Sequence, residues 1–203
     1  MNIRCEVPQD YREVENLTRE AFWNVYRPGC SEHYILHRFR NDPDFIESLS
    51  FVLEEEDRII GHIMYARAFV DSDDGQRIPI AVFGPISILP AYQGRGYGTE
   101  LIRHSLTKAS SMGIGAVAIT GNPDYYQRFG FVSGSSMGIH HSAVPREEEA
   151  PFFMIKELTE GYLENITGTY KDPAGYQTDE LDVDSFDIRF PPKEKRVLPG
   201  QLG

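Results

Sequence analysis

Between Ile86 and Met112 the chain passes from an apolar alternation through a run of glycines into a helix, and this passage restricts the fold more than any other segment. Ile86-Ser87-Ile88-Leu89-Pro90 reads as the end of a strand and Gln93-Gly94-Arg95-Gly96-Tyr97-Gly98 as a glycine-rich turn. Thr99–Met112 is an expected amphipathic helix, with Leu101, Ile102, Leu106 and Ala109 on one face. A strand that ends in such a turn exposes successive backbone N–H groups, and the helix after it points the positive end of its dipole at the same place. Phosphates can be held there without a cluster of lysines. Gly94, Gly96 and Gly98 are read as admitting positive φ and close approach of a ligand, and Arg95 as adding a charge-assisted contact. A P-loop is excluded because no Gly-Lys-Ser/Thr follows, and a dinucleotide fingerprint because the glycines are spaced GxGxG. For the loop taken alone, a plain turn of flexible glycines stays open.

The elements around it alternate. Ile3–Val7 reads as a first strand, Tyr11–Val25 as a helix closed by Pro28-Gly29, and Ser31 as the cap of a second helix to about Phe39. Phe51–Glu55, Arg58–Val70 and Arg77–Leu89 form an expected antiparallel meander, turning at Glu55-Glu56-Asp57 and at Asp71-Ser72-Asp73-Asp74-Gly75. Ile114–Thr120 is an apolar strand, Pro123–Phe129 a short helical turn, and Phe131–Ser133 and Pro151–Leu158 further strands. Gly134–Pro145 is small and polar, hence a loop. This order predicts a mixed α/β (α+β) fold with a central, mostly antiparallel sheet flanked by helices. From Thr159 neither a helical nor a strand period holds for long. Residues 1–158 are therefore read as one domain and 159–203 as an extension packed on it, with a tail from Pro191 expected to be mobile.

Composition bounds the partners. The net charge of −11 leaves no basic footprint for phosphate backbones, so nucleic acid is not expected as a partner. No apolar run is long enough to span a bilayer, and MNIRCEVPQD lacks the layout of a secretory signal, so no membrane is expected. Cys5 and Cys30 form no CxxC or disulfide lattice, which fits a reducing cytoplasm. No metal is expected. The Asp-rich turn at 71–75 lacks the remaining ligands of a calcium loop, and His140-His141 has no companions at metal spacing and is read as solvated.

A second motif follows the first at Asn122-Pro123-Asp124-Tyr125-Tyr126-Gln127-Arg128-Phe129-Gly130-Phe131. Together the two segments resemble the GNAT superfamily of N-acetyltransferases, and the form YYxRFGF is similar to a bacterial subgroup of it. Gln93, Gly96 and Gly98 fill the family's Q/R-x-x-G-x-G/A loop, and Tyr126 stands four residues before the Gly130-Phe131 pair. The resemblance implies a GNAT-like fold and acetyl-CoA as co-substrate. It implies that the strand at Ile86, Ser87 and Ile88 pairs with the pantetheine arm through backbone groups of Ile86 and Ile88. The loop Gln93-Gly94-Arg95-Gly96-Tyr97-Gly98 would hold the pyrophosphate through amides from Gly94 to Thr99, and Asn122 would touch the pantetheine. It also implies that the strand before the loop splays from its neighbour, with Gly84-Pro85 helping through a bulge.

By the same resemblance Tyr126 protonates the departing CoA thiolate. A phenol with a pKa of about 10 is protonated at neutral pH and can donate to a thiolate of pKa about 8.5. Packing with a hydrogen-bonded hydroxyl is the other reading of Tyr126. The expected reaction is direct attack by a primary amine of a small molecule or protein in a ternary complex; a non-catalytic acyl-CoA-binding or regulatory module is the alternative. No Asp or Glu occurs from Ile78 to Thr99, so a base on that strand is not expected and a water relay or a group from elsewhere must serve. His62, Glu54 and Glu55 are not assigned. A monomer or homodimer fits, and Tyr11–Phe39 and Gly134–Pro145 are expected to set acceptor specificity.

Overall fold

A computed structural model describes residues 1–201. The fold is mixed α/β. The pairs β1–β2, β2–β3, β3–β9, β5–β8 and β6–β8 are antiparallel, and β4–β5 and β7–β9 are parallel. The strands are β1 Asn2–Cys5, β2 Phe51–Glu55, β3 Arg58–Ser72, β4 Arg77–Ile88, β5 Ala116–Thr120, β6 Val132–Ser133, β7 Ile139–His141, β8 Phe153–Glu157 and β9 Gly168–Tyr170. The helices are α1 Tyr11–Phe22, α2 Glu32–Phe39, α3 Tyr97–Ser111, α4 Pro123–Tyr126 and α5 Glu180–Asp187. Among the described residues no helix is long and apolar enough to cross a membrane. The chain makes two compact units interleaved in sequence.

The first unit comprises Met1–Met64, Pro85–Ser105 and the chain from Ala174 on. Here β1, β2 and the start of β3 pair in order, with a bulge between Leu53 and Glu54. Val52, Leu53, Ile60 and Ile63 are buried along them, together with Val14 and Leu17 of α1 and Leu36 and Phe39 of α2. Burying side chains of this size contributes roughly 1.5–3 kcal/mol each. The end of β4 stays beside β3, since Leu89 N–H donates to Ile60 O at 2.9 Å. The helix expected to reach Val25 ends at Phe22. Trp23 leaves it with ψ 118°, and Asn24 takes a left-handed φ of 60°. Asn24 Oδ1 accepts from the N–H groups of Gly29 and Arg196, which rewards that conformation.

Two buried charged clusters knit this unit. Glu6 accepts from Arg40 Nη2 (2.6 Å) and Ser50 Oγ (2.9 Å), and His62 Nε2 lies 3.0 Å from Ser50 Oγ. His62, unassigned from sequence, is fully buried within this cluster. The second cluster ties α5 to α1. Fully buried Arg19 donates from Nε (2.5 Å) and Nη2 (2.9 Å) to Asp187, while Phe186 packs against His33, Tyr34 and His37. Thus α5 and β9 are regular structure in a segment where no period was expected to hold. Beyond α5, Glu194 O accepts from Trp23 Nε1 and Asn24 Nδ2, and Lys193 pairs with Glu20. The last two residues of the expected tail lie outside the described residues.

These clusters dictate a response to acid. Burial would raise the Glu6 carboxyl, but the charges of His62 and Arg40 outweigh it and hold Glu6 near about 2, against an ordinary 4.5. Burial drives the His33 imidazole from 6.5 down to about 4, against the pull of Asp187. Both folded values lie below the unfolded ones, so the unfolded chain binds more protons as pH falls. The His33 contribution is complete above pH 6.5 and is lost on descending to about 4; that of Glu6 is lost between 4.5 and about 2. Urea midpoints should therefore begin to fall near pH 6.5, and His33→Gln should flatten the upper part of the fall. An unchanged slope in the variant would contradict this assignment.

The second unit comprises Tyr65–Gly84 and Leu106–Pro173. Its strand order is β3-β4-β5-β8-β6, with β9 on β3 and β7 on β9. The core gathers Tyr65, Phe83, Phe131, Ile139, Phe153, Ile155 and Tyr170. The expected loop Gly134–Pro145 is corrected here, because Ile139–His141 is a strand lying parallel to Gly168–Tyr170. His141 is accordingly buried rather than solvated, with Nε2 3.1 Å from Asp172 Oδ2 and Nδ1 accepting from Ala143 N–H. At Gly168 a Cβ would stand 2.4 Å from Asp71 O, so this β9 position has no room for a side chain.

Candidate functional site

The glycine turn belongs to the first unit and is built from β4 outward. Ser87 is buried with its hydroxyl 2.8 Å from that of Thr18 on α1, so the side chain is held inside and the backbone on either side is fixed. Ile88 packs over Gly61, where a Cβ would lie 2.6 Å from Ile88 Cδ1 and 3.0 Å from Leu101 Cδ1. A short 3-10 turn, Pro90–Tyr92, carries the chain off the strand, and Gln93 is extended. Gly94 and Gly96 then adopt φ of 73° and 90°, a region that L side chains avoid. Gly98 departs from expectation: it lies in the first turn of α3 and is not among the positive-φ glycines. The helix begins at Tyr97, two residues before the expected start.

The consequence is a row of open donors. The first capped carbonyl is Gly96 O, which accepts from Thr99 and Glu100 N–H. Among the described residues, the main-chain N–H groups of Gly94, Arg95, Gly96, Tyr97 and Gly98 donate to no protein acceptor. Thr99, expected in the same set, is already engaged with Gly96 O. Exposed N–H groups at the start of a fifteen-residue helix combine hydrogen-bonding capacity with the positive dipole end. Two side chains of this loop are committed elsewhere. Gln93 Nε2 donates to Ile88 O (3.0 Å), and Tyr97 Oη donates to Glu55 Oε2 (2.5 Å), a bond that raises the phenol's pKa. Tyr97 thus offers the turn its backbone rather than its ring.

This arrangement sets a prediction. A Cβ at Gly96 would meet no neighbour, but φ of 90° strains valine there by about 1–3 kcal/mol and re-aims the amides. Gly96→Val should weaken CoA binding by roughly tenfold or more, since one charge-assisted hydrogen bond contributes about 1.5–3 kcal/mol. Gly75→Val, at the β3–β4 turn with φ of 87° and equally open surroundings, carries the same strain and should leave CoA affinity unchanged. Titration calorimetry on both variants checks it.

The second motif belongs to the second unit. Asn122 caps α4, its Oδ1 accepting from Asp124 N–H at 3.0 Å, with Pro123 at the first helical position. One lone pair of the Asn122 side-chain oxygen is thereby committed to the helix cap. Tyr126 is 8% exposed, its ring set against Phe83 (5.8 Å), Tyr125 (5.0 Å) and Phe131 (6.0 Å). Gly121 makes room for it: a Cβ there would lie 2.5 Å from Tyr126 Cε2. Gly130, at φ of 83°, ends the following 3-10 turn. Gly121 and Thr18 were not singled out from sequence, and only a Gly immediately before the Asn-Pro cap hinted at the first. Among the described residues no group of three or more His, Cys, Asp or Glu could hold a metal ion.

The chain is similar to the uncharacterized N-acetyltransferase YjhQ of Escherichia coli (strain K12), 29% identical over 113 residues, which is 55% of this chain. The match spans 62% of YjhQ, less than two thirds of its length. In fold it is similar to the GNAT family N-acetyltransferase YhbS of Escherichia coli, solved in complex with CoA (TM-score 0.74, 22% identity, 86% of this chain and 91% of that one). A GNAT family acetyltransferase from Brucella melitensis, in complex with acetyl-CoA, is similar at TM-score 0.69 and 27% identity over 87% of this chain and 97% of that one. The model of the acetyltransferase (GNAT) family matches residues 12–131, well over half of the sequence, and the chain belongs to that family.

Proposed function

We propose that the chain is an N-acetyltransferase that moves the acetyl group of acetyl-CoA to a primary amine of a small molecule or protein by direct attack in a ternary complex. The observation that carries this reading is the row of five open amides from Gly94 to Gly98, a receptor for the diphosphate of CoA. Arg95 adds charge to it, and the backbones of Ile86 and Ile88, steadied by the Ser87–Thr18 bond, run alongside the pantetheine arm. Ile88 O already accepts from Gln93 Nε2 and has a second lone pair for the cofactor. On this reading residues 1–158 are the transferase domain and the segment from 159 is an extension bracing it.

In the reaction the amine lone pair attacks the thioester carbonyl carbon, and the C–S bond breaks with its electron pair going to sulfur. Tyr126 gives its phenolic proton to the thiolate, a transfer that is downhill in the reverse sense only by the difference between about 10 and about 8.5 in pKa. The amine proton leaves through a water relay or a group from elsewhere in the chain, since no carboxylate lies between Ile78 and Thr99, and a proton from solvent restores the Tyr126 phenol. Holding amine and thioester together supplies much of the acceleration.

Acetyl-CoA at a hundred times its Kd should stabilise the fold by about 2.7 kcal/mol, read as a rise in Tm. Thiol release with a panel of amines then reports transfer. Stabilisation without thiol release from any amine would make the chain an acyl-CoA-binding module, and no stabilisation at all would remove the cofactor.

A further inference from the structure

Beside the open amides the first unit carries two guanidinium groups with no anionic partner. Arg58, the first residue of β3, is held in register by pairing with Glu55. Its Cζ stands 6.0 Å from the centre of the Tyr92 ring, and Arg95 Cζ stands 5.5 Å from the same ring. Tyr92 also rests on Tyr97 at 6.1 Å. Among the described residues neither Arg58 nor Arg95 makes an ion pair or a side-chain hydrogen bond. Carboxylates are near in sequence, yet they are not used for this. Glu55 is taken by the Tyr97 hydroxyl, and Glu56 and Asp57 form the tight turn with φ of 50° and 60°. Arg4, Arg12, Arg77, Arg103, Arg146 and Arg196 each find a carboxylate, whereas these two share one aromatic ring beside a phosphate receptor.

We infer that Arg58, steadied on the face of Tyr92 beside Arg95, binds the 3′-phosphate of CoA, so that this chain selects the 3′-phosphorylated nucleotide over its dephosphorylated form. The inference rests on the CoA reading above and adds to it the residue that discriminates. A phosphate monoester carries close to two negative charges at neutral pH and three acceptor oxygens, and guanidinium groups match it through paired N–H donors. Stacking on tyrosine keeps each guanidinium's charge while limiting its rotamers, so less freedom is lost when the phosphate arrives. Arg58 stands outside the glycine turn, and its contribution is separable from that of the amides.

The test is titration calorimetry of CoA and of 3′-dephospho-CoA on the wild-type chain and on Arg58→Gln and Tyr92→Leu, both exposed or half-buried sites that leave the fold intact. The wild type should bind CoA about tenfold or more tightly than dephospho-CoA, the size of one to two charge-assisted contacts. Arg58→Gln should bring the two ligands within roughly twofold by weakening CoA alone, and Tyr92→Leu should reduce the ratio in the same direction. Equal affinities in the wild type, or an undiminished ratio in Arg58→Gln, would overturn the 3′-phosphate site while the cofactor reading stands. If neither nucleotide binds, both readings fall.

Discussion

Replacing Tyr126 by phenylalanine is expected to lower kcat by about 100-fold or more while leaving the Kd for CoA within roughly twofold, because a general acid contributes about 10²–10⁴ in rate. The substitution deletes a single oxygen. The ring keeps its seat against Phe83, Tyr125 and Phe131 over Gly121. A tyrosine that merely packs would behave differently: stability would fall by about 1 kcal/mol for a lost hydrogen bond and turnover would hold. Measuring kcat, CoA affinity and Tm on the one variant separates the two roles. Unchanged turnover would take Tyr126 out of the reaction.

The second large effect is on stability. Asp187→Ala is expected to destabilise the protein by about 3–5 kcal/mol, the usual penalty for stripping one partner from a buried ion pair. Arg19 has no exposed surface, and its Nη1 already lacks a hydrogen-bond partner. Removing Asp187 would leave Nε and Nη2 unsatisfied as well, in a site walled by Trp23 and Phe190. Replacing both partners, Arg19→Met with Asp187→Leu, should recover most of the loss, since no buried charge is then stranded. Urea unfolding of the two variants decides it, and a double variant no more stable than the single one would show that the pair is not what anchors α5.

Local chemistry explains which parts of this architecture were legible in the sequence. The strand–turn–helix at Ile86–Ser111 and the cap at Asn122-Pro123 are set by glycines, a proline and an apolar period within a few residues. They appear in the structure with shifts of one or two positions. The meander boundaries at Phe51, Arg58 and Arg77 were equally local. What depended on distant partners was not visible. The strands β7 and β9 are three residues each and exist because they lie against one another and against β3, so neither shows a period of its own. His141 is buried for the same reason. The Arg19–Asp187 pair spans 168 positions, and nothing in either neighbourhood marks its partner. At the loop, composition indicated which glycines matter but not their conformations. Gly94 and Gly96 are left-handed, whereas Gly98 is absorbed by a helix that starts earlier than its apolar face requires. Likewise the Tyr97 side chain turned out to serve Glu55 across the unit, a contact fixed only by the β2–β3 hairpin.

A crystal structure of this chain grown with CoA interrogates the glycine turn directly. The expected result is diphosphate oxygens about 2.7–3.2 Å from the N–H groups between Gly94 and Gly98, with those amides in the conformations they already hold. A nucleotide bound at another surface, with the five amides facing only water, would contradict the assignment of this turn as the cofactor's grip.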